Sequence, residues 1–174
     1  RLNGRFISAK ISDDSIADII VFDTLGGNYS PRRLLYFENP FVTDFVPDQI
    51  IETSANIRIR STKSIAVLDF NGDGFQDLLI STAGQVGQYY PTISVFFGRD
   101  FGITPDKVIY PPEGVVPDSN SQNGFASWLA NLHDVTGDGW DDLGITYDVA
   151  RCLIYSGGPT YDTVYDYLLP FPYY

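Results

Sequence analysis

The chain has 174 residues, enough for one domain with a substantial core, and its 44% hydrophobic content excludes a disordered polypeptide. A formal charge of −11 excludes nucleic acid and anionic lipid as partners unless cations bridge them, and no apolar run is long enough to insert in a bilayer as a helix. Charged residues make up 19% and aromatics 15%, with 16 Gly and 11 Pro, a profile of strands joined by many turns.

Taken in order, the chain reads as three copies of one unit, at 1–60, 61–116 and 117–174. The first carries strand candidates at 5–11, 18–22, 33–37 and 49–53. The second carries them at 65–70, 78–82, 92–97 and 107–110, with a long loop at 83–91 that holds Tyr89 and Tyr90. Pro111, Pro112 and the polar stretch 117–123 then form a linker that no strand crosses. The third copy repeats the order at 127–132, 143–147, 152–155 and 163–168. The run from Tyr165 to Tyr174 is either its last strand and tail or a segment that covers an exposed face.

Between the first two strands of the second copy lies Asp69-Phe70-Asn71-Gly72-Asp73-Gly74-Phe75-Gln76-Asp77. Side-chain oxygens at Asp69, Asn71, Asp73 and Asp77, with the Phe75 carbonyl, suit a hard cation such as Ca²⁺, which takes six to eight oxygens at about 2.3–2.6 Å. The glycines allow the chain to wrap tightly, because they reach positive φ at little cost. An EF-hand would need Glu at the twelfth loop position and helical flanks, whereas Ile80 stands there between strand-like runs. The third copy repeats the loop with Asp134, Thr136, Asp138, the Trp140 carbonyl and Asp142 as ligands, and Ile145 at the twelfth position. In the first copy, alignment of Asp18 with Asp77 puts Lys10, Ser12 and Asp14 at the first, third and fifth positions, without glycines. That copy is expected to bind no calcium. Lys10 either brings its ammonium to Asp14 and Asp18 in place of the cation or points to solvent. The loop starts Lys10, Asp69 and Asp134 are 59 and 65 residues apart, a repeat period that suits four strands per copy.

The two loops, and the aromatic lead-in Asn123-Gly124-Phe125-Ala126-Ser127-Trp128, resemble the FG-GAP repeat of integrin α-chain propellers and their relatives. Thr136 departs from the Asn or Asp usual at that position, which points to a weaker second site. The resemblance implies an all-β fold of three four-stranded antiparallel blades of an FG-GAP-like β-propeller, with two Ca²⁺ sites. Three blades do not close a ring, since propellers have about four to eight. Partner segments or further copies of the chain are therefore expected to cover the end faces. The family also implies a secreted or cell-surface protein that recognises a protein or glycan ligand.

No other constellation carries chemistry. His133 is the single histidine; a triad with Asp134 and a serine exists only on paper, and a loop-edge role is the plainer one. Cys152, the single cysteine, lies in an apolar strand and reads as a buried thiol that cannot form an intrachain disulfide. Asn28-Tyr29-Ser30 has the glycosylation pattern, but Pro31 follows it. Tyr89 and Tyr90 are candidate sugar-stacking rings, and Trp128 and Trp140 are the other two, with Trp140 better explained by packing. The reading is a calcium-stabilised, extracellular, non-catalytic protein of adhesion, recognition or assembly. Its alternatives are a propeller of a carbohydrate-active enzyme and a subunit that polymerises into an extracellular filament.

Overall fold

A computed structural model describes residues 5–14, 16–23, 33–39, 46–52, 62–82, 91–99, 101–113, 125–148 and 151–170. These residues hold twelve strands and no helix. Sheet 1 comprises β1 (Arg5–Ala9), β2 (Asp18–Asp23), β3 (Arg33–Phe37) and β4 (Gln49–Glu52). Sheet 2 comprises β5 (Thr62–Leu68), β6 (Asp77–Thr82), β7 (Thr92–Phe96) and β8 (Lys107–Ile109). Sheet 3 comprises β9 (Leu129–His133), β10 (Asp142–Asp148), β11 (Arg151–Tyr155) and β12 (Tyr167–Pro170). Each sheet is an antiparallel meander in chain order, so the fold is all-β and built as three propeller-type blades.

The sheets stack face to face through two cores. Ile11, Ile20, Leu34 and Tyr36 of the first copy meet Leu78, Ile80 and Phe96 of sheet 2. On its other face sheet 2 presents Leu68, Phe70, Leu79, Ile93 and Val95 to Leu143, Ile145, Leu153 and Tyr155 of sheet 3. Strand β6 is therefore buried at every residue. That is why Leu78-Leu79-Ile80 is a continuous apolar run rather than an alternating one. Truncating one of these fully buried leucines to alanine would cost about 2–5 kcal/mol. The first strands of sheets 2 and 3 are tied directly: Leu129 N–H donates to Ser64 Oγ at 3.0 Å, and Asn131 Nδ2 to the Val67 carbonyl at 3.3 Å.

Eleven strands fall where the sequence places them, within a few residues at either end. The twelfth begins four residues later than expected, because Asp162 folds the apparent strand at 163–165 into a turn. Its Oδ1 accepts the Val164 N–H at 2.7 Å. The segment Tyr167–Pro170 is an ordinary fourth strand paired with β11, not a separate cover, while residues 171–174 lie outside the described residues. Tyr89, Tyr90, the linker 117–123 and the Asn28 sequon also lie outside them. Strand β9 carries a bulge at Leu132: Asp142 pairs with His133, but Leu143 pairs with Asn131. His133 takes a φ of 55° there, and the Leu132 side chain lies over Gly144, where a Cβ would come within 2.9 Å of it.

Candidate metal-binding loops

The β5–β6 and β9–β10 connections follow one course. Gly72 and Gly74 have φ of 74° and 92°, and Gly137 and Gly139 have 81° and 93°, so both loops use glycine where the left-handed backbone demands it. In the first loop Asp69 accepts N–H bonds from Asp73 at 3.0 Å and Gly74 at 2.8 Å. Asn71 Oδ1 also accepts the Asp73 N–H, and its Nδ2 reaches Asp73 Oδ2 at 3.1 Å. Asp73 Oδ1 in turn accepts the Phe75 N–H at 2.9 Å. These short side chains hold the turn by bonding N–H groups a few residues on. In the other loop Asp134 accepts from Gly137, Asp138 and Gly139, and Asp138 accepts from Trp140.

The last carboxylate of each loop has a different task. Asp77 is fully buried; one oxygen accepts the Phe70 and Asn71 N–H groups, and the other accepts Gly98 N–H at 2.8 Å. Asp142 repeats this with Val135 and Thr136 on one oxygen and Gly157, more loosely, on the other. Asp18 does the same with Ile11, Ser12 and Asn39, although its loop lacks the glycines and the first-position acid. Each of these aspartates ties the β1–β2 type loop of its sheet to the turn after the third strand. The sequence reading missed this role. Its signal was Asp18, kept in the copy that had lost the other donors. A second brace also went unread. Asp48, Asp106 and Asp166 accept the N–H groups of Glu38, Phe97 and Ser156, closing the third turn of each sheet. Pro47-Asp48 and Pro105-Asp106 are its trace in the sequence.

Among the described residues no three His, Cys, Asp or Glu side chains form a ready-made metal cluster. The structure brings Asp69, Asn71 and Asp73 together at the rim and sets Asp77 behind them as a brace. Asp134 and Asp138 are likewise together, but the Thr136 hydroxyl turns inward to Asp142 at 3.4 Å, as Ser12 turns to Asp18 at 3.3 Å. The third loop is thus intermediate between the second and the first. The Phe75 and Trp140 carbonyls accept no hydrogen bond from a described residue. Burial raises the Asp69 carboxyl above its usual range; N–H bonds pull it back, and the charge of Asp73 adds to the rise. Burial pushes Asp77 up to about 7 against the pull of its three N–H donors. A cation on this rim would relieve both. The donor set is all oxygen, so in chemistry it fits Ca²⁺ better than a softer metal.

Lys10 is exposed and forms no ion pair among the described residues; its backbone pairs with Gln76 instead. His133 is 84% exposed and faces Asp141 at 3.4 Å rather than Asp134, with the loop-edge role its position suggested. Cys152 is half-buried. Trp140 wedges its ring between Gly72 and Gly158, each of which would bring a Cβ within 3 Å of it. Packing is therefore its role, as expected, and it joins one loop to the next.

Three stacked four-stranded meanders with two Asp-Gly loops of one course define a protein built from propeller-type repeats. The FG-GAP repeat matches residues 62–91, a span that holds β5, the Asp69 loop and β6. No curated protein matches the chain.

Proposed function

We propose that this is a calcium-stabilised, non-catalytic propeller-repeat protein of the extracellular space or cell surface, which recognises a protein or glycan ligand. The observation that carries the reading is the Asp69–Asp73 rim: oxygen donors gathered by glycine-permitted turns and repeated at Asp134–Asp138. One Ca²⁺ per loop would take Asp69, Asn71, Asp73, the Phe75 carbonyl and the free lone pair of Asp77, or Asp134, Thr136, Asp138, the Trp140 carbonyl and Asp142. The ion would supply charge neutralisation and cross-linking, not catalysis. Two-carboxylate rims of this openness suit affinities of roughly 10⁻⁴–10⁻³ M, which fill only where calcium is abundant, as outside cells. At ten times Kd each ion would add about 1.4 kcal/mol of stability. That rigidifies a connection already closed by its aspartate brace. Trp128, 70% exposed on sheet 3, offers a face for ligand stacking.

Native mass spectrometry in calcium, repeated after chelation, tests the reading. Two ions per chain that disappear with chelator, and with them a lower melting temperature, are expected. Zero ions with unchanged melting would reject it.

A further inference from the structure

The Asp69 loop carries the pair Asn71-Gly72 at its third and fourth positions, and the groups around that pair are those that closure of an imide ring requires. Asn71 Oδ1 accepts the Asp73 N–H at 3.0 Å, which folds the side-chain amide back over the Asn71–Gly72 peptide. Asn71 Cγ and the Gly72 nitrogen are thereby enclosed in one small hydrogen-bonded ring. The Gly72 N–H bonds the Asp69 carboxylate, as Gly137 N–H bonds Asp134 Oδ1 at 2.7 Å in the other loop. Asp73 Oδ2 accepts from Asn71 Nδ2 at 3.1 Å, so a carboxylate also stands at the amide nitrogen.

Gly72 brings no Cβ to crowd its own nitrogen. Its Cα is seated against Trp140, Gly158 and Pro159, so the peptide is held in place and does not turn away from the amide. Holding two reacting groups in this way removes much of the entropic cost of bringing them together. Among the three loops only this one offers the pair, because Ser12 and Thr136 stand where Asn71 does.

We infer that the metal-free Asp69 loop is a self-modifying site, at which Asn71 deamidates through a cyclic imide. The Gly72 nitrogen attacks Asn71 Cγ, and its proton passes to the Asp69 carboxylate that it already bonds. The negative charge that develops on Oδ1 meets the Asp73 N–H waiting there. The Cγ–Nδ2 bond then breaks, and the released NH₂ group takes up the proton that Gly72 gave and leaves as ammonia. Water opens the five-membered imide at either carbonyl, which leaves aspartate or isoaspartate at position 71. Aspartate adds a negative charge to the rim. Isoaspartate inserts a methylene into the main chain and changes the spacing of Asp69 and Asp73. The inference concerns the metal-free loop and stands whether or not that loop takes calcium.

Two further Asn-Gly pairs, at Asn3 and Asn123, lie outside the described residues, so conversion is read site by site. The full chain is incubated with chelator at neutral pH, native and in urea. Peptide mass mapping follows the loss of the mass of ammonia at Asn71 and then the gain of the mass of water. A positioned base contributes about 10²–10⁴-fold in an enzyme site, and in this open loop native conversion is expected to run about tenfold faster than in urea. Asp69→Asn should bring the native rate down to that of the unfolded chain and leave the rate in urea unchanged. A native parent that converts no faster than the unfolded parent overturns the inference. So does an unchanged native rate in an Asp69→Asn variant that melts cooperatively. The native and unfolded parent are compared without any variant, so that comparison decides by itself if Asp69→Asn does not fold.

Discussion

Asp18→Ala isolates the brace from any metal, because its loop has Lys10 and Ser12 where the others have Asp and Asn or Thr. The carboxylate is fully buried and accepts N–H groups from Ile11 at 3.1 Å, Ser12 at 2.9 Å and Asn39 at 3.1 Å, and the Ser12 hydroxyl at 3.3 Å. Hydrogen bonds to a charged acceptor contribute about 1.5–3 kcal/mol each, and donors left buried without a partner cost about 1–3 kcal/mol. Alanine leaves room for water, so the losses do not add in full. A net cost of about 3–5 kcal/mol follows, out of the 5–15 kcal/mol typical of a whole domain. At about 2–4 °C per kcal/mol for a chain of this size, the melting temperature should fall by roughly 10 °C. Asp18→Asn should fall about half as far, since one oxygen survives and an NH₂ replaces the other. Thermal melts followed by circular dichroism, in calcium and in chelator, read the effect. The drop should be the same in both. A fall under about 2 °C, or one seen only with calcium, would refute the brace.

The remaining expectations follow from the same contacts. Asp73→Ala and Asp138→Ala should each remove one calcium ion from the native mass spectrum. The Asp134 loop should fill at a higher calcium concentration than the Asp69 loop in a calorimetric titration, because Thr136 turns its hydroxyl to Asp142. Gly72→Ala should cost about 1–3 kcal/mol in chemical unfolding, since its Cβ would lie 2.9 Å from Gly158, Pro159 and Trp140 at a φ of 74°. Gly74→Ala has open space around it and should cost only the left-handed strain, about 1–2 kcal/mol. Burial lifts Asp77 from 3.8 toward about 7 in the metal-free protein. Such a raised carboxyl contributes stability below its unfolded pKa and loses it as pH rises through 7. Calcium favours the ionised form, so the rise in melting temperature on adding calcium should shrink between pH 8 and pH 6. A calcium increment that is flat across that range would contradict this.

The strands were legible because their residues alternate or run apolar between unambiguous turns, and Asp-Gly pairs mark the same junction twice. The error at β12 has a local cause. Thr163-Val164-Tyr165 has strand-forming residues, but the preceding Asp162 bonds the Val164 N–H and makes a turn of them. The neighbourhood of Asp69, Asn71 and Asp73 is legible from spacing, since they are near neighbours in one tight turn, whereas the inward turn of Thr136 is not. Nor is the place of Asp77. Its main partner outside the loop, Gly98, is 21 residues away and belongs to another strand connection. Spacing presents Asp77 as one more ligand, but it does not show that the same carboxylate also accepts two N–H groups of its own loop and that of Gly98 across the sheet. The place of Lys10 depends on the same kind of contact: of its two candidate partners, Asp14 and Asp18, the second is already filled by N–H groups.

The Trp140 wedge has a consequence for how the two loops would respond to an ion. The ring belongs to the Asp134 loop, yet it rests on Gly72, at the centre of the Asp69 loop. Ordering either loop fixes the seat or the position of the ring, and so lowers the entropic cost of ordering the other. Coupling of this kind is reciprocal: whatever one ion does for its neighbour, the neighbour returns in equal measure. Titration of the pair would then be steeper than two independent sites allow, and Trp140→Ala would separate it into two shallow steps.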